Sequence, residues 1–596
     1  MRIAETAMKK LLPNKLLVLV LFVYVFWFSS ILLTPPIDKV LPPDPFVFAK
    51  NLSLFYWFSF VMLLIVIVFR LTLFSGEKNP ILDFLIITCL VLMIYGTTSI
   101  VYYLPLYVDT YVHTSASLRI LLTGHIPPPL SMMAASNDPG AYLLYSTFML
   151  ITSIDSIYFM KFYPVMFSFI MLFSLYVISA KFTDSKIAII SSIIYVAFHY
   201  FIIYVYPGDL SQLFFLLFIY LFLLYMETKS MGFAYLLLLI VLSGMTIYIL
   251  FPFIIILPSI ILVLYYSLPY QEKKVYKLPY QEKKVYKLFV IIVFIFIIAW
   301  ISWLTYLSQG TLRIISSIFL NAISKREIIE LPVKIVSPPS MLIMILLIKE
   351  VITAFEILSG AAVIFWGLVN IKSIKVRQRL LVLAIFFMIC ILGIALSALS
   401  SSLTLGAYIR FYWFSLMPFS ILIPLYLLNN KKVSHPRFEK FNRALNWTFI
   451  IMLMVFLSLS PIIIHDNDPG NYYPSSCLNG ADFAVKNLKG NIIWVKYHVH
   501  LIEYMALRNG ILFEGDMGFQ GNETTRFISL TTYIKIYGNE SSNYSAVIFN
   551  DYEDSLDILS GNIDSVIQRH LYEQLVSQKL NLVFSDGCIR IYAKSK

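Results

Sequence analysis

Long apolar runs separated by short polar segments dominate the chain. About thirteen runs have roughly the 20 residues that an α-helix needs to cross a bilayer. Their apolar residues are continuous rather than alternating, which favours spanning helices over a membrane β-barrel. The predicted spans lie at about 15–34, 54–75, 81–105, 160–180, 187–205, 210–226, 232–249, 251–267, 288–306, 341–371, 379–398, 410–428 and 445–464.

Two apolar segments need a separate interpretation. Residues 141–157 are apolar but short, which is typical of a helix that lies in the membrane interface. The N-terminal run follows basic residues, as in a signal peptide, but no small-residue cleavage site follows Leu33. We therefore expect a retained first span and an interfacial helix at 141–157.

A polar region follows Ile464. Within it, IIWVKYH, ILFEG and SAVIFN are typical of strands, and ADFAVKNL and residues 555–578 are typical of helices. The segment NLVFSDGCIRIYA predicts a hairpin with an Asp-Gly turn. Sequons for N-glycosylation, which fit an outer surface, begin at Asn522, Asn539 and Asn543.

The composition supports this division into a membrane part and a polar part. The mean hydropathy is +0.81, and 13% of the residues are charged, which is about half the fraction of a typical soluble chain. The fold class that follows is an all-α polytopic membrane domain with a small C-terminal α/β extracytoplasmic domain. The expected units are an N-terminal helix pair at 1–80, a transmembrane domain at 81–464 and the α/β domain at 465–596.

The net charge of +12 would suit a nucleic-acid-binding protein, but the basic residues lie in short loops on alternate sides of the spans. With the N-terminus in the cytoplasm, the inner segments carry about three times as many Lys and Arg residues as the outer loops. This bias predicts a multi-pass cell-membrane protein with no nucleic-acid partner. It also places loops 105–158 and 307–340 on the extracytoplasmic side, together with the C-terminal domain.

The four cysteines fall into two pairs. Cys89 and Cys390 lie in apolar spans, where cysteine usually acts as a small packing residue. Cys477 and Cys588 lie near the two ends of the polar region. They either form a disulfide, which suits an extracytoplasmic domain, or remain two buried thiols. The sequence leaves both alternatives open.

The loop from Tyr107 to Leu150 concentrates ionisable residues in a chain with few charges. Ionisable groups that rigid helices hold at a membrane face usually do chemistry or guide a substrate. Asp109 and His113 are four residues apart and share one face if the segment is helical. The alternative is a carboxylate that is only solvated and a histidine that is only structural. Asp138 lies in an Asn-Asp-Pro-Gly turn of the same loop.

Other outer segments supply a second set of candidates. Asp209 ends the turn Tyr206-Pro207-Gly208-Asp209, which is also an ordinary helix start. Arg410 lies in YIRFY at the outer end of a late span, where it also fits an interfacial anchor. Lys325 and Arg326 lie in loop 307–340, where a charge run is usually a solvated face.

These segments, in this order and on one side of the membrane, resemble the GT-C membrane glycosyltransferases. The first outer loop is similar in its Asp, nearby His, Gly-x-Ile-Pro helix end and Pro/Gly turn, and Asp209 and Arg410 match later positions of the pattern. That superfamily includes protein O-mannosyltransferases, aminoarabinose transferases and oligosaccharyltransferases. The chain departs from it by lacking Asp-x-Asp in the first loop and Trp-Trp-Asp-Tyr-Gly in the tail, and by two extra spans before the loop.

The resemblance implies transfer of a sugar from a polyprenyl-phosphate carrier to a lipid, glycan or protein acceptor. In such an enzyme Asp109 would be the catalytic base, and Asp209 would orient the acceptor or help to hold a divalent cation. Arg410, with Lys325 and Arg326, would stabilise the departing phosphate. His113 and Asp138 would contact the substrates. The metal requirement stays open, because one carboxylate can act alone, whereas a pair would suit Mg²⁺ or Mn²⁺.

Two other classes of function compete with transfer. A transporter or flippase for a lipid-linked or polar solute usually carries ionisable residues near the bilayer midplane and has two related halves. Most of the charged candidates here lie at the outer face, and the two halves of the chain show no repeat. A non-catalytic assembly protein would bind partners through its C-terminal domain, and in such a protein Asp109→Asn would be harmless.

Overall fold

The structure is a computed structural model that describes the chain in separate ranges. The described residues are 2–38, 47–72, 79–107, 109–126, 138–183, 187–200, 203–228, 230–248, 250–267, 291, 293–303, 305, 340–370, 373–399, 405–429, 436–465, 475–488, 490–494, 499–509, 525–529, 546–550, 573, 577, 581–585 and 589–593.

Helices make up the membrane part of the chain. The helices are α1 (Arg2–Leu33), α2 (Val47–Asn51), α3 (Leu54–Thr72), α4 (Pro80–Val101), α5 (Asp109–Thr123), α6 (Pro139–Thr152), α7 (Ser156–Phe182), α8 (Ile189–Phe198), α9 (Pro207–Thr228), α10 (Met231–Ile247), α11 (Phe251–Ser267), α12 (Val293–Trp303), α13 (Ser340–Asn370), α14 (Ile374–Leu399), α15 (Leu405–Asn429) and α16 (Pro436–His465).

Within the described ranges, nine of these helices are long and apolar enough to cross a membrane. They are α1, α3, α4, α7, α9, α13, α14, α15 and α16. The remaining predicted runs also contain helix, but their described helices have 10–17 residues. Helix α8 is the shortest of them because the chain leaves the helix at His199 and turns inside the bundle. The polytopic helical class is therefore confirmed, with shorter helices than predicted in the 187–205 run.

The segment expected at the membrane interface forms α6. Its 14 residues extend for about 21 Å at 1.5 Å per residue, which is less than the roughly 30 Å hydrocarbon core. An αL residue, Ser153, ends the helix and turns the chain toward α7. Helix α6 is thus too short to cross the bilayer unaided.

The N-terminal helix pair packs on α4, the span that leads toward the candidate site. Tyr24 of α1 donates its hydroxyl to the Leu85 carbonyl oxygen at 3.1 Å, and the Trp27 indole donates to Thr97 Oγ1 at 2.9 Å. In α3, the Tyr56 hydroxyl donates to the Met93 carbonyl oxygen at 3.0 Å. Met93 lies in a π-helical turn of α4, Leu92–Gly96, where the regular hydrogen-bond ladder is interrupted.

Two ion pairs fasten the end of the bundle that lies away from the C-terminal domain. Arg70 of α3 and Asp83 of α4 form a bidentate pair at 2.6 and 3.0 Å, and both side chains are almost fully buried. Arg379 of α14 pairs with Glu227 of α9 and donates to the Phe182 carbonyl oxygen at 2.7 Å. These contacts fix the register of the spans at that end.

The C-terminal region forms a small α/β domain, as predicted. The described elements are α17 (Ser475–Asn487), β1 (Gly490–Trp494), α18 (Val499–Arg508), β2 (Thr525–Ser529), β3 (Ala546–Asn550), β4 (Asn581–Ser585) and β5 (Ile589–Ala593). The sheet has the order β2-β1-β3-β5-β4. Strands β1, β2 and β3 are parallel, whereas β5 runs antiparallel to β3 and to β4.

Most predictions within this domain can be compared with the structure. The strands at 492–498 and 545–550, the helix at 481–488 and the final hairpin correspond to β1, β3, α17 and β4–β5. Strand β2 and helix α18 were not predicted. The predicted strand at 511–515 lies outside the described residues, as does nearly all of the helix at 555–578. Cys477 is disulfide-bonded, and its expected partner Cys588 also lies outside the described residues.

Candidate functional site

Helix α5 begins at Asp109, just after the segment that leaves α4. Tyr107 has a left-handed backbone with φ of 76°, a conformation that costs a non-glycine residue roughly 1–3 kcal/mol. Its ring centroid lies 4.2 Å from that of Tyr204, and the Val205 amide donates to Thr110 Oγ1 at 3.1 Å. These contacts tie the first turn of α5 to the buried turn between α8 and α9.

Helix α6 holds the middle of α5. The His113 Nδ1 atom lies 2.7 Å from the Tyr142 hydroxyl, and the two rings stack with centroids 5.9 Å apart. One turn farther along, Ser146 Oγ donates to the Ser117 carbonyl oxygen at 2.8 Å. His113 is half-buried, and its ring orientation is set by these contacts.

Asp209 lies in the first turn of α9 and is 1% exposed. Its Oδ2 atom accepts a hydrogen bond from the Tyr204 amide at 3.2 Å, and Oδ1 accepts one from Gln212 Nε2 at 3.3 Å. Gln212 Oε1 in turn accepts one from the Tyr195 hydroxyl at 3.1 Å. Asp209 therefore closes the turn that carries Tyr204 and Tyr206, and it is sealed from solvent.

Arg410 of α15 lies over two tyrosine rings. Its guanidinium carbon is 5.9 Å from the Tyr206 ring centroid and 5.8 Å from that of Tyr248. The two tyrosine hydroxyls are 2.9 Å apart. The His113 ring centroid lies 5.1 Å from that of Tyr206, so Tyr206 contacts both α5 and Arg410. Contact with aromatic faces stabilises a cation without neutralising its charge, so the charge can still attract an anion.

Asp109 is an exposed carboxylate that lies near Arg410. Its side chain reaches the surface, yet the protein around it removes part of its water. This desolvation raises the pKa of the Asp109 carboxyl above its ordinary value, and the positive charge of Arg410 opposes the rise. The two groups therefore lie within electrostatic range of each other.

Asp138 lies near Arg410 as well, at the start of α6. It occupies the N-cap position of that helix, but its side chain makes no capping hydrogen bond. Its charge interacts with Arg410 and acts on the buried Tyr142 and Tyr206 hydroxyls. The half-buried carboxylate thus lies near Tyr206, one of the two rings that Arg410 contacts.

Four predicted site residues therefore meet at the end of the bundle that carries the C-terminal domain: Asp109, His113, Asp138 and Arg410. Asp209 lies beneath them, with both carboxylate oxygens engaged by the protein. Lys325 and Arg326, predicted to bind substrate, lie outside the described residues.

The described residues do not fit a metal held jointly by Asp109 and Asp209. The Asp209 oxygens accept N–H hydrogen bonds, and the protein seals them from solvent. Within the described part of the chain, no group of three or more His, Cys, Asp or Glu side chains is arranged to hold a metal ion. We therefore derive no step through Mg²⁺ or Mn²⁺.

The sequence pattern missed the tyrosines that build the site. Tyr142, Tyr204, Tyr206 and Tyr248 are all buried here, and Tyr206 contacts both His113 and Arg410. The chain has 40 tyrosines, and tyrosine is common at membrane interfaces for reasons unrelated to catalysis. One local signal for these tyrosines was available in the sequence. Tyr206 directly precedes Pro207-Gly208-Asp209, and Tyr204 lies two residues before Tyr206.

No protein-family model matches the sequence, and no curated protein sequence matches it significantly. Among solved structures, the chain aligns with the Archaeoglobus fulgidus oligosaccharyltransferase in complex with Zn and sulfate, with 12% identity, a TM-score of 0.45 and coverage of 79% of this chain and 68% of that chain. It also aligns with ArnT from Cupriavidus metallidurans bound to undecaprenyl phosphate, with 10% identity, a TM-score of 0.49 and coverage of 87% and 98%. The apo state of that ArnT aligns with 10% identity, a TM-score of 0.43 and coverage of 81% and 93%. Similarity at this level does not assign an activity.

Proposed function

We propose that the protein is a membrane glycosyltransferase of the GT-C kind, which moves a sugar from a polyprenyl-phosphate carrier to an acceptor at the extracytoplasmic face. The observation that carries the proposal is the pairing of an exposed carboxylate with a cation on aromatic rings. Asp109 reaches the surface within electrostatic range of Arg410, and Arg410 is held over Tyr206 and Tyr248. Transfer from a lipid phosphate uses a base for the acceptor and a cation for the departing phosphate.

Asp109 acts as the general base. Its carboxylate accepts the proton of the acceptor hydroxyl while that oxygen forms a bond to the anomeric carbon of the donor sugar. The raised pKa of the Asp109 carboxyl makes it a stronger base than a fully solvated aspartate. The charge of Arg410 opposes this rise and favours the ionised carboxylate, which is the form that accepts a proton.

Arg410 stabilises the leaving group. As the bond between the anomeric carbon and the phosphate oxygen breaks, the electron pair stays with the polyprenyl phosphate and adds negative charge to it. A guanidinium can bind two phosphate oxygens in its planar fork. The rings of Tyr206 and Tyr248 hold that fork in position before the substrate arrives, so little reorganisation is needed in the transition state.

The other candidates support these two groups. His113 and Asp138 lie near Tyr142 and Tyr206. They are proposed to contact the acceptor or the sugar. Asp209 is proposed to act indirectly, because its hydrogen bond to the Tyr204 amide fixes the turn that presents Tyr206. Lys325 and Arg326 stay proposed phosphate contacts.

The structure offers little support for transport as the alternative. Two charged side chains within the spans have protein partners instead of lining an open path. Asp83 pairs with Arg70, and Glu356 accepts a hydrogen bond from Ser415 at 2.7 Å. Both carboxylates are fully buried.

A transfer assay in membranes tests the proposal. Wild type, Asp109→Asn and the control Asp482→Asn, which changes an aspartate of α17 in the C-terminal domain, are given labelled polyprenyl-phosphate sugars. Loss of the base should lower kcat by about 100-fold to 10,000-fold, whereas the control should transfer at the wild-type rate. Equal transfer by wild type and Asp109→Asn would remove Asp109 as the base. No transfer by wild type with any donor would favour the transporter or assembly classes.

A further inference from the structure

We propose that the C-terminal domain holds the site helix α5 through one face of α18, and that Tyr504 is a positioning residue for Asp109. The inference rests on the proposed function, because it assigns the domain a part in the same site. It concerns a helix that the sequence pattern did not predict and a side chain far from the reacting atoms.

One face of α18 contacts the start of span α7. The Tyr504 hydroxyl lies 2.8 Å from Ser156 Oγ. Four residues farther on, and therefore on the same helix face, Arg508 Nη2 lies 3.1 Å from Asp155 Oδ2. Asp155 also caps α7, because its Oδ1 atom accepts a hydrogen bond from the Ile157 amide at 2.8 Å. The domain is thus attached to a rigid end of a span.

The same Tyr504 ring packs against α5. Its centroid lies 5.3 Å from that of Tyr111 in an edge-to-face arrangement, and both side chains are fully buried. In a helix, Tyr111 points about 200° away from Asp109, at roughly 100° per residue. Asp109 and His113 therefore lie on the side of α5 that faces Tyr204 and Tyr206. Tyr111 lies on the opposite side and faces the C-terminal domain.

The position of α5 depends on such contacts. It has 15 residues, and an isolated helix of that length is marginally stable in water. Thr110 and His113 hold one side through Val205 and Tyr142, and Tyr504 supplies a buried aromatic contact on the other. Without Tyr504, α5 can move away from Arg410, and Asp109 moves with it.

Kinetics of two Tyr504 variants test the proposal. Tyr504→Phe removes only the hydroxyl, and Tyr504→Ala also removes the ring. We expect Tyr504→Ala to lower kcat by about tenfold to hundredfold, because small misplacements of a reacting group are costly. Tyr504→Phe should lower it by about threefold. The KM for the donor should change by less than about twofold in both, since donor contacts are not touched.

Tyr592→Phe is the matched control. The Tyr592 hydroxyl donates to Glu573 Oε1 at 2.8 Å within the C-terminal domain, so this variant also loses a hydroxyl contact, but one away from α5. It should keep the wild-type kcat. A loss of kcat equal to that of Tyr504→Phe would show that general weakening of the domain, and not the contact with α5, causes the effect.

A double mutant separates positioning from a structural role. In the Asp109→Asn background there is no base left to misplace, so Tyr504→Ala should lower kcat by less than about twofold more. A full additional loss of tenfold or more would overturn the inference while leaving the proposed function intact. Wild-type activity of Asp109→Asn would instead remove the proposed base.

Hydrogen exchange gives a readout that needs no substrate. Amides of residues 109–123 should exchange at least about tenfold faster in Tyr504→Ala than in wild type, because the helix opens locally when its packing partner is lost. The amides of α7 in Tyr504→Ala should show no such change. Residues 109–123 in Tyr592→Phe should also exchange at the wild-type rate. Unchanged protection of residues 109–123 in Tyr504→Ala would contradict the inference whatever the protein transfers.

Discussion

At the residue scale, the proposed site depends on one carboxylate and on one guanidinium that influences it. Partial loss of water raises the pKa of the Asp109 carboxyl, and Arg410 lowers it. A base must be ionised to act, so we expect activity above the Asp109 pKa and its loss as the pH falls through that pKa. The acid limb of the transfer profile should therefore lie above the ordinary pKa of aspartate.

Arg410→Gln tests this coupling. Removing the positive charge takes away the influence that lowers the pKa of Asp109, so the acid limb should move to higher pH. The maximal rate should also fall by about 100-fold or more, because the phosphate loses its cation. The measurement is kcat/KM against pH for the variant and for Arg377→Gln, which changes an exposed arginine of α14 at the other end of the bundle. An acid limb at the wild-type position in Arg410→Gln would contradict the proposed pairing.

At the element scale, α6 carries the contact that orients His113. It can do so because its first turn approaches the end of α10 closely. A Cβ atom at Gly140 would lie 2.9 Å from the Thr246 carbonyl oxygen, which is closer than such atoms normally approach. Tyr142, two residues later, supplies the hydroxyl beside His113. The small residue at 140 therefore determines where the Tyr142 ring lies.

Gly140→Ala should push α6 away from α10. Since the clash includes backbone atoms of Thr246, rotating a side chain does not relieve it. We expect the free energy of unfolding to fall by about 1–3 kcal/mol and transfer to fall together with the His113 contact. Thermal unfolding in detergent and the transfer assay measure the two effects.

Gly232→Ala in α10 is the control for that substitution. There an added Cβ would meet only Ser230 Oγ, at 3.6 Å, which is an ordinary contact. It should leave both unfolding and transfer close to wild type. Equal stability of the Gly140 and Gly232 variants would show that α6 tolerates a wider separation from α10.

At the scale of the whole molecule, the N-terminal pair is part of the support of the site. It reaches α4 through Tyr24, Trp27 and Tyr56 and through the buried pair of Arg70 and Asp83. It also contacts the C-terminal domain, since the Ser475 amide and hydroxyl donate to Asp38 at 2.9 and 2.6 Å. The N-terminal helix pair thus braces both α4 and the domain.

Arg70→Leu tests this bracing. It leaves the Asp83 carboxylate buried without its cation, which should lower the free energy of unfolding by about 3–5 kcal/mol. Arg70→Leu combined with Asp83→Leu should recover part of the loss, because no buried charge remains. Lys486→Ala, which breaks an exposed pair with Asp482, should cost less than about 0.5 kcal/mol. Thermal unfolding of wild type and the three variants measures these differences. Wild-type stability of Arg70→Leu would contradict the proposed bracing.

The spans could be predicted because a bilayer imposes one strong local rule. A run of about 20 apolar residues must be helical to satisfy its backbone, so α3, α4, α7 and α9 follow from the sequence. The hairpin β4–β5 followed from the Asp-Gly pair in the sequence between two strand-like segments. These features depend only on neighbouring residues.

The parts that could not be predicted depend on distant contacts. Helix α18 has few local signals, and its Tyr504 is buried only because α5 and α7 lie beside it. Asp109 and Asp209 were both predicted to act at the outer face, but the burial of Asp209 follows from how α8 and α9 enclose the turn between them. The role of Arg410 depends on Tyr206 and Tyr248, which lie far from it in the chain.

The contact between Ser156 and Tyr504 also has a consequence in time. Its two residues are 348 positions apart, and a ribosome adds roughly 5–20 residues per second. Ser156 is therefore synthesised roughly 20–70 s before the helix that contacts it, and α5, which precedes Ser156 in the chain, waits longer. During that interval the growing chain carries its proposed base without one of its proposed supports, and a product that terminates before Tyr504 lacks that support.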